Sequence, residues 1–292
     1  MPSRGGAEGV LLACTAIWGS TFALTKNALD DASPLLFVAA RFGLATLLFA
    51  PFVLKTLPRI ERRALWRGLI LGVLLFLGFA TQTVGLRYTT ASKSGFITGM
   101  LVVLTPIFQL LIERRAPRVG NLAGVVLVMG GLYLLTSPDG SEFNVGDALT
   151  LGCAAVYAVF IVYLDVFTKE HDPALLTFVQ FAVTCLLAAA SAPFLEELRF
   201  GLSGESVGTL AYLAVFATVA ALYLQARYQR ETTPTRAAII FSLEPVFAAI
   251  FAYFLRDERL GTVGVIGGGV IVVGVLLSEL SDVLFRRRGP GP

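Results

Sequence analysis

Apolar residues run along this chain in ten stretches, each about long enough to cross a bilayer, with short polar segments between them. A helix rises about 1.5 Å per residue and the hydrocarbon core is about 30 Å thick, so roughly 20 mostly apolar residues make one crossing. The pattern predicts crossings at about Glu8 to Ala28, Ser33 to Leu54, Leu65 to Leu86, Lys93 to Ile112 and Val119 to Thr136. Five more are predicted at Asp147 to Phe167, Pro173 to Leu195, Ser206 to Arg227, Thr235 to Leu255 and Gly261 to Leu280. The longest connecting segments, Ser137 to Gly146 and Glu196 to Glu205, are far too short for a domain outside the membrane. Whatever the chain does, it does among its helices.

Composition agrees: 56% of the 292 residues are apolar and 15% charged, against about 25% charged in soluble domains. The first stretch exceeds the roughly 7 to 15 residues of a signal-peptide core, so it is read as part of the working protein. Cys14, Cys153 and Cys185 all fall inside apolar stretches, with no CxxC pair and no neighbouring His. That excludes a disulfide framework and an ordinary zinc site and makes them small core residues.

The net charge of +3 does not point to nucleic acid, because the basic residues sit at crossing ends and divide unequally between the two faces. Arg4, Lys55, Arg59, Arg62, Arg63, Arg67, Arg114, Arg115, Arg118, Lys169, Arg227, Arg230, Arg236, Arg286, Arg287 and Arg288 fall on the side of the termini. Lys26, Arg87, Lys93, Arg199, Arg256 and Arg259 fall on the other, and Arg41 lies within a crossing. By the positive-inside rule, both termini are expected in the cytoplasm.

The chain also repeats itself. A shift of 139 residues sets Cys14 on Cys153, Trp18 on Tyr157, Pro34 on Pro173, Arg41 on Gln180 and Pro106 on Pro245. A shift of 143 sets Ser92 and Lys93 on Thr235 and Arg236, Gly124 on Gly267 and Gly131 on Gly274. Each half then holds five crossings, and an odd number makes the second half enter the membrane in the opposite sense. The expected fold is an all-α integral membrane protein of ten transmembrane helices in two inverted-topology five-helix repeats. Residues 1–137 form the first repeat, 138–146 a linker, 147–280 the second repeat and 281–292 a basic cytoplasmic tail. Inverted repeats recur in secondary transporters, around a site near the bilayer midplane.

Several motifs carry a family resemblance: Ile17-Trp18-Gly19, Ala40-Arg41-Phe42, Thr89-Thr90-Ala91-Ser92-Lys93, Asp257-Glu258-Arg259-Leu260 and, above all, Phe241-Ser242-Leu243-Glu244-Pro245-Val246-Phe247. With them the chain resembles the EamA-type members of the drug/metabolite transporter superfamily from about Glu8 to Leu280. The resemblance implies a ten-helix exporter of small metabolites in the cytoplasmic (inner) membrane, with a cavity between the halves. It leaves the substrate open among amino acids, other metabolites, amphiphilic drugs, sugar phosphates and nucleotide sugars.

An ionisable group deep in a bilayer costs at least about 2.5 to 3.5 kcal/mol on insertion scales, so each one is a functional candidate. Glu244 falls near the middle of the ninth crossing, and Pro245 after it is expected to kink the helix. The pair reads as a gate and proton site, or as a structural carboxyl bonded to a neighbouring helix. Arg41 must pair or face water, and is read first as a pin to backbone carbonyls, with an anionic substrate group as the alternative. Lys93 and Arg236, repeat equivalents on opposite faces, either guard the two mouths or snorkel to the interfaces. Trp18 and Tyr157 lie mid-crossing, where their N–H and O–H need partners, and are assigned to the cavity lining over mere core filling. Gln82, Ser94, Thr98, Tyr223, Phe241 and Ser242 are further lining candidates.

Small residues in the fifth crossing (Gly120, Gly124, Gly131) and the tenth (Gly264, Gly267, Gly268, Gly274) read as a packing face or a dimer surface, so the chain is expected as a monomer or a homodimer through those helices. The lone His171 is read as a solvated loop residue. No Gly-xxxx-Gly-Lys pattern occurs, so uphill transport would draw on an ion or substrate gradient. No catalytic set and no cofactor are expected. The expected partners are a small molecule, protons and the lipid bilayer, with an integral-membrane enzyme or a scaffold as the distant alternatives.

Overall fold

The computed structural model of the chain describes residues 4–57, 60–114, 119–136, 143–201, 203–256 and 261–286. The basic residues Arg59, Arg115, Arg118, Arg259, Arg287 and Arg288, most of the linker and the Asp257 to Leu260 motif lie outside the described residues. What is described is helical: α1 (Arg4–Gly19), α2 (Thr21–Asp31), α3 (Pro34–Val53), α4 (Arg62–Leu86), α5 (Ala91–Gly99), α6 (Leu101–Glu113) and α7 (Val119–Thr136). Then follow α8 (Val145–Glu170), α9 (Pro173–Leu195), α10 (Gly204–Tyr212), a π-helical run (Leu213–Ala220), α11 (Ala221–Tyr228), α12 (Pro234–Phe241), α13 (Glu244–Arg256) and α14 (Thr262–Arg286). No strand occurs among the described residues beyond an isolated bridge between Ala32 and Phe200.

Eight helical runs are long and apolar enough to cross a membrane, from Gly5–Asp31 to Pro234–Phe251. The fifth and tenth predicted crossings correspond to shorter apolar helices, Asn121–Leu135 and Thr262–Ser278. This is a multi-pass membrane protein. Its perimeter carries Leu47, Phe52, Leu111, Val126, Leu186 and Phe194, all well exposed, which suits a hydrocarbon surround and would be costly in water.

Helix starts follow local chemistry. Pro34, Pro173 and Pro234 occupy first turns, where the missing donor has no helical partner anyway. Thr90, Asn144, Asp172, Ser203 and Thr233 each cap a helix by accepting a backbone N–H.

Four runs are interrupted near their middles, and these interruptions shape the centre. The first breaks at Ser20, the fourth at Met100 and the ninth at Ser242 and Leu243, while the eighth widens into its π-helical run. The expected proline kink is therefore corrected: the chain breaks before Glu244, and Pro245 sits in the first turn of a new helix rather than inside a continuous one. A proline there loses no hydrogen bond.

The core is built between the halves: α3 packs on α9, α4 on α8 and α9, α1 on α11, α12 and α13, and α6 on α8 and α12. Phe42, Phe49 and Phe181 interlock edge to face across α3 and α9, with centroids 5.8 Å apart in both Phe181 pairs. The glycines of α7 and α14 face each other within one chain. A side chain on Gly131 would stand 2.7 Å from the Gly267 carbonyl oxygen, so only glycine permits this approach. Cys14 and Cys153 are buried, Cys185 is half-buried, and all three are free thiols.

Candidate functional site

The interruptions surround a central cavity of about 80 Å³, lined among others by Trp18, Arg41, Phe79, Gln82, Thr98, Tyr157, Phe241 and Glu244. That is small beside the roughly 300 to 1,000 Å³ of ordinary ligand pockets. Its walls are mainly apolar, with a few polar groups converging from different helices.

Trp18 ends α1 one residue before the break at Ser20 and donates from Nε1 to the Ala217 carbonyl at 3.0 Å. Ala217 lies in the π-helical run, where the wider winding displaces carbonyls from the ordinary ladder and frees them for such bonds. The Trp18 ring stands edge-on to Phe241, centroids 5.3 Å apart. Tyr157 on α8 stands edge-on to Phe79 at 5.9 Å, and its ring occupies the space a side chain at Gly78 would need.

Arg41 on α3 is buried, and its Nε donates to the Thr218 hydroxyl at 2.6 Å. Its guanidinium lies 4.8 Å from the Phe79 ring centroid, a cation–π contact. The expected pin to backbone carbonyls is thus a pin to a side-chain hydroxyl. Thr218 in turn donates to the Leu213 carbonyl five residues back at 2.8 Å, the signature of the π turn. The winding of one helix thereby sets the position of a cation on another.

Glu244 opens α13 at the cavity wall, and its carboxylate has no hydrogen-bond or ion-pair partner among the described residues. A carboxylate at a helix N-terminus is favoured by the exposed N–H groups and dipole of the first turn. Arg41 and Glu244 share the cavity without bonding each other, so one cationic and one anionic group face a common space. Gln82 donates to the Thr98 hydroxyl at 3.3 Å on one wall.

The remaining sequence candidates fall elsewhere. Ser242 is buried and donates to the Ile239 carbonyl within the break. Ser94 is buried off the cavity with its hydroxyl unpartnered. Tyr223 packs on Phe49 at 5.2 Å, and Pro245 serves the helix start. Lys93 and Arg236 lie away from the cavity, in ion pairs with Asp147 and Glu8. His171 is tied down rather than free: its Nε2 lies 2.8 Å from Arg67, which also pairs with Glu170. No group of three His, Cys, Asp or Glu able to hold a metal ion occurs among the described residues.

A broken-helix core with a polar-studded central cavity is an architecture shared with known proteins. A model of the EamA-like transporter family matches residues 7–137 and 144–280. The chain belongs to the EamA-like transporter family. An uncharacterized transporter of Archaeoglobus fulgidus is 36% identical over 95% of this chain and 89% of its own length. The uncharacterized transporter YwfM of Bacillus subtilis is 26% identical over 91% of each chain. The uncharacterized inner membrane transporter YedA of Escherichia coli K12 is 26% identical over 95% of this chain and 92% of its own. A crystal structure 17% identical in sequence superposes with a TM-score of 0.80 over 98% of this chain and all of the other, a likeness of fold.

Thr21 and Gln225 are polar lining residues of this EamA-like protein that sequence reasoning passed over. For Gln225 the signal was present, since it lies 143 residues after Gln82, on the same offset that relates Lys93 to Arg236. Phe79 and Leu222 are related in the same way, and both line the cavity. Thr21 gave no comparable signal, because it lines the cavity only through the break beside it.

Proposed function

We propose that this membrane transporter is a secondary exporter of small metabolites, with amino acids or related amphiphilic compounds as the leading substrates, working by alternating access around the central cavity. One observation carries the substrate class: Glu244, without a partner, and Arg41 face one small cavity walled by Trp18, Tyr157, Phe79 and Phe241. Such a space suits a zwitterion with an apolar side chain, its ammonium toward the carboxylate and its carboxylate toward the guanidinium. Glu244 also serves as the group that loads and releases a proton, since nothing else in the cavity competes for its charge.

The architecture goes with this reading: ten crossings in two inverted repeats, residues 1–137 and 147–280. The family match in two successive stretches of similar length supports it. So does the cavity, where Trp18 and Tyr157, Gln82 and Gln225, and Leu101 and Glu244 are lining residues at the two repeat offsets. Packing pairs α4 with α8 and α1 with α11, and again α6 with α8 and α12 with α1, as a two-fold relation requires. On this reading the protein belongs in the cytoplasmic membrane with both termini inside. Export as the direction follows the family resemblance.

Reconstituted vesicles test the substrate class by counterflow of labelled amino acids, with and without an imposed pH gradient. Counterflow that unlabelled amino acids compete away supports the reading. A second reading, export of organic cations, is favoured by the aromatic surround of Glu244; competition by lipophilic cations and not by amino acids would select it.

A further inference from the structure

Lys93 and Arg236 do more than mark the ends of the repeat, because the structure supplies the partners of each. Lys93 Nζ pairs with the buried Asp147 at 2.6 Å, and the Thr89 hydroxyl donates to the same carboxylate at 2.7 Å. Arg236 Nη2 pairs with Glu8 at 2.8 Å, and the Thr232 hydroxyl donates to that carboxylate at 2.9 Å.

These two triads are the same device written twice. Lys93 and Arg236 are separated by 143 residues, as are Thr89 and Thr232, while Glu8 and Asp147 are separated by 139. Even the caps agree: Thr90 accepts the Lys93 backbone N–H at 3.1 Å and Thr233 the Arg236 backbone N–H at 3.3 Å. Each triad ties the start of a broken helix in one half to the start of a helix in the other, α5 to α8 and α12 to α1. The Glu8 triad sits where α1 begins. The other lies near Lys26, whose Nζ donates to the Thr89 carbonyl, and Glu8 to Lys26 spans about 27 Å by helical rise. The triads therefore lie at opposite ends of the molecule, with the cavity between them.

We infer that the two triads are alternating latches, one closing each mouth of the cavity, and that the structure with both closed is the occluded state. The inference rests on the transport reading above. Three observations support it. Both pairs are formed at once, and the cavity between them is contracted. The cations are largely withdrawn from solvent, side chains 15% exposed for Lys93 and 3% for Arg236. Water entering an opening mouth would rehydrate both ions of that latch, so separation is compensated only when the mouth actually opens; removing one partner leaves the other charge stranded. Finally, duplicated chemistry gives the two open states comparable energies, and a cycle needs that because neither state can be a trap.

The test reads accessibility and needs no substrate. In a background with Cys14, Cys153 and Cys185 replaced by Ala, a cysteine at Gln225 or at Gln82 is labelled by a membrane-impermeant maleimide added to one side of oriented vesicles and then the other. Arg236→Gln is expected to raise labelling from the Glu8 end by roughly tenfold, the change that about 1.4 kcal/mol of latch free energy gives, and to lower it from the other end. Lys93→Gln is expected to do the reverse. Lys93 is chosen over Asp147 because Asp147 also accepts the Asn144 backbone N–H as part of the α8 capping box. Exchanging the charges, Glu8→Arg with Arg236→Glu, is expected to return labelling toward the parent pattern.

Labelling that moves to the same side in both variants, or stays put in folded protein, overturns the inference, as does an exchanged pair that behaves like Arg236→Gln alone. Should Arg236→Gln fail to insert, the Lys93→Gln arm and the exchanged pair decide between latch and no latch. Counterflow with unmoved labelling would sink the latches and leave the transport reading standing. Opposite labelling shifts without flux of any amino acid would keep the latches and sink the substrate class.

Discussion

Glu244 is the residue on which the proposed coupling turns, and its neighbourhood makes a clean experiment possible. Glu244→Gln keeps shape and helix-start position, and with no partner to lose it is expected to fold as the parent does. Substrate exchange in vesicles should persist while the response to an imposed pH gradient disappears; a variant with unchanged pH dependence would remove Glu244 from the coupling. Arg41 offers a contrasting case. Its Nε bond to Thr218 and its stacking over Phe79 both need a planar guanidinium, so Arg41→Lys is expected to weaken substrate competition about tenfold, the equivalent of about 1.4 kcal/mol for a lost charge-assisted contact. Equal competition by the lysine variant would return Arg41 to a role as a generic buried cation.

At the scale of the helix, the sequence and the structure agree on membrane helices and diverge on their continuity. Hydropathy reports how long an apolar stretch is, and it placed crossings close to where helices stand. It cannot report a break whose residues are themselves apolar or small, such as Met100, or Ser242 and Leu243, so three interruptions and the π-helical run went unseen. The candidate site was legible in its deep ionisable groups and mid-crossing aromatics, because burying those costs enough to demand a reason. Ser94, Ser242 and Tyr223 were misplaced for the converse reason: a small hydroxyl or a tyrosine finds a local partner as readily as a cavity, and sequence holds no record of which. The seam between α7 and α14 yields its own prediction. Gly131→Leu puts a side chain where the Gly267 carbonyl and the Ile271 amide already stand 2.7 Å from an added Cβ, and overpacking of this kind costs about 1 to 3 kcal/mol or more. A marked fall in unfolding temperature is expected, against little change for Gly130→Leu, whose surroundings are open.

For the whole molecule, a small cavity between two closed ends means that binding and stability are linked. A true substrate that binds the folded state alone, at about 100 times its Kd, should add about 2.7 kcal/mol to stability, so a thermal-shift panel of amino acids against lipophilic cations ranks the two readings without any vesicle. The same geometry says where motion can and cannot occur. Backbone meets backbone where α7 lies on α14, with no long side chain to re-rotamer and no layer to slide, and neither helix contributes a lining residue to the cavity. A contact of that kind behaves as a bearing: its parts hold their spacing while everything hung on them swings. Ser278 and Asn121 are hydrogen-bonded across it at 3.1 Å, and a disulfide engineered between those two positions should leave turnover intact, whereas a crosslink joining positions 8 and 236 should stop it. If both crosslinks arrest transport alike, the axis of the machine lies elsewhere; if only the second does, the glycines of this chain are the still point about which it turns.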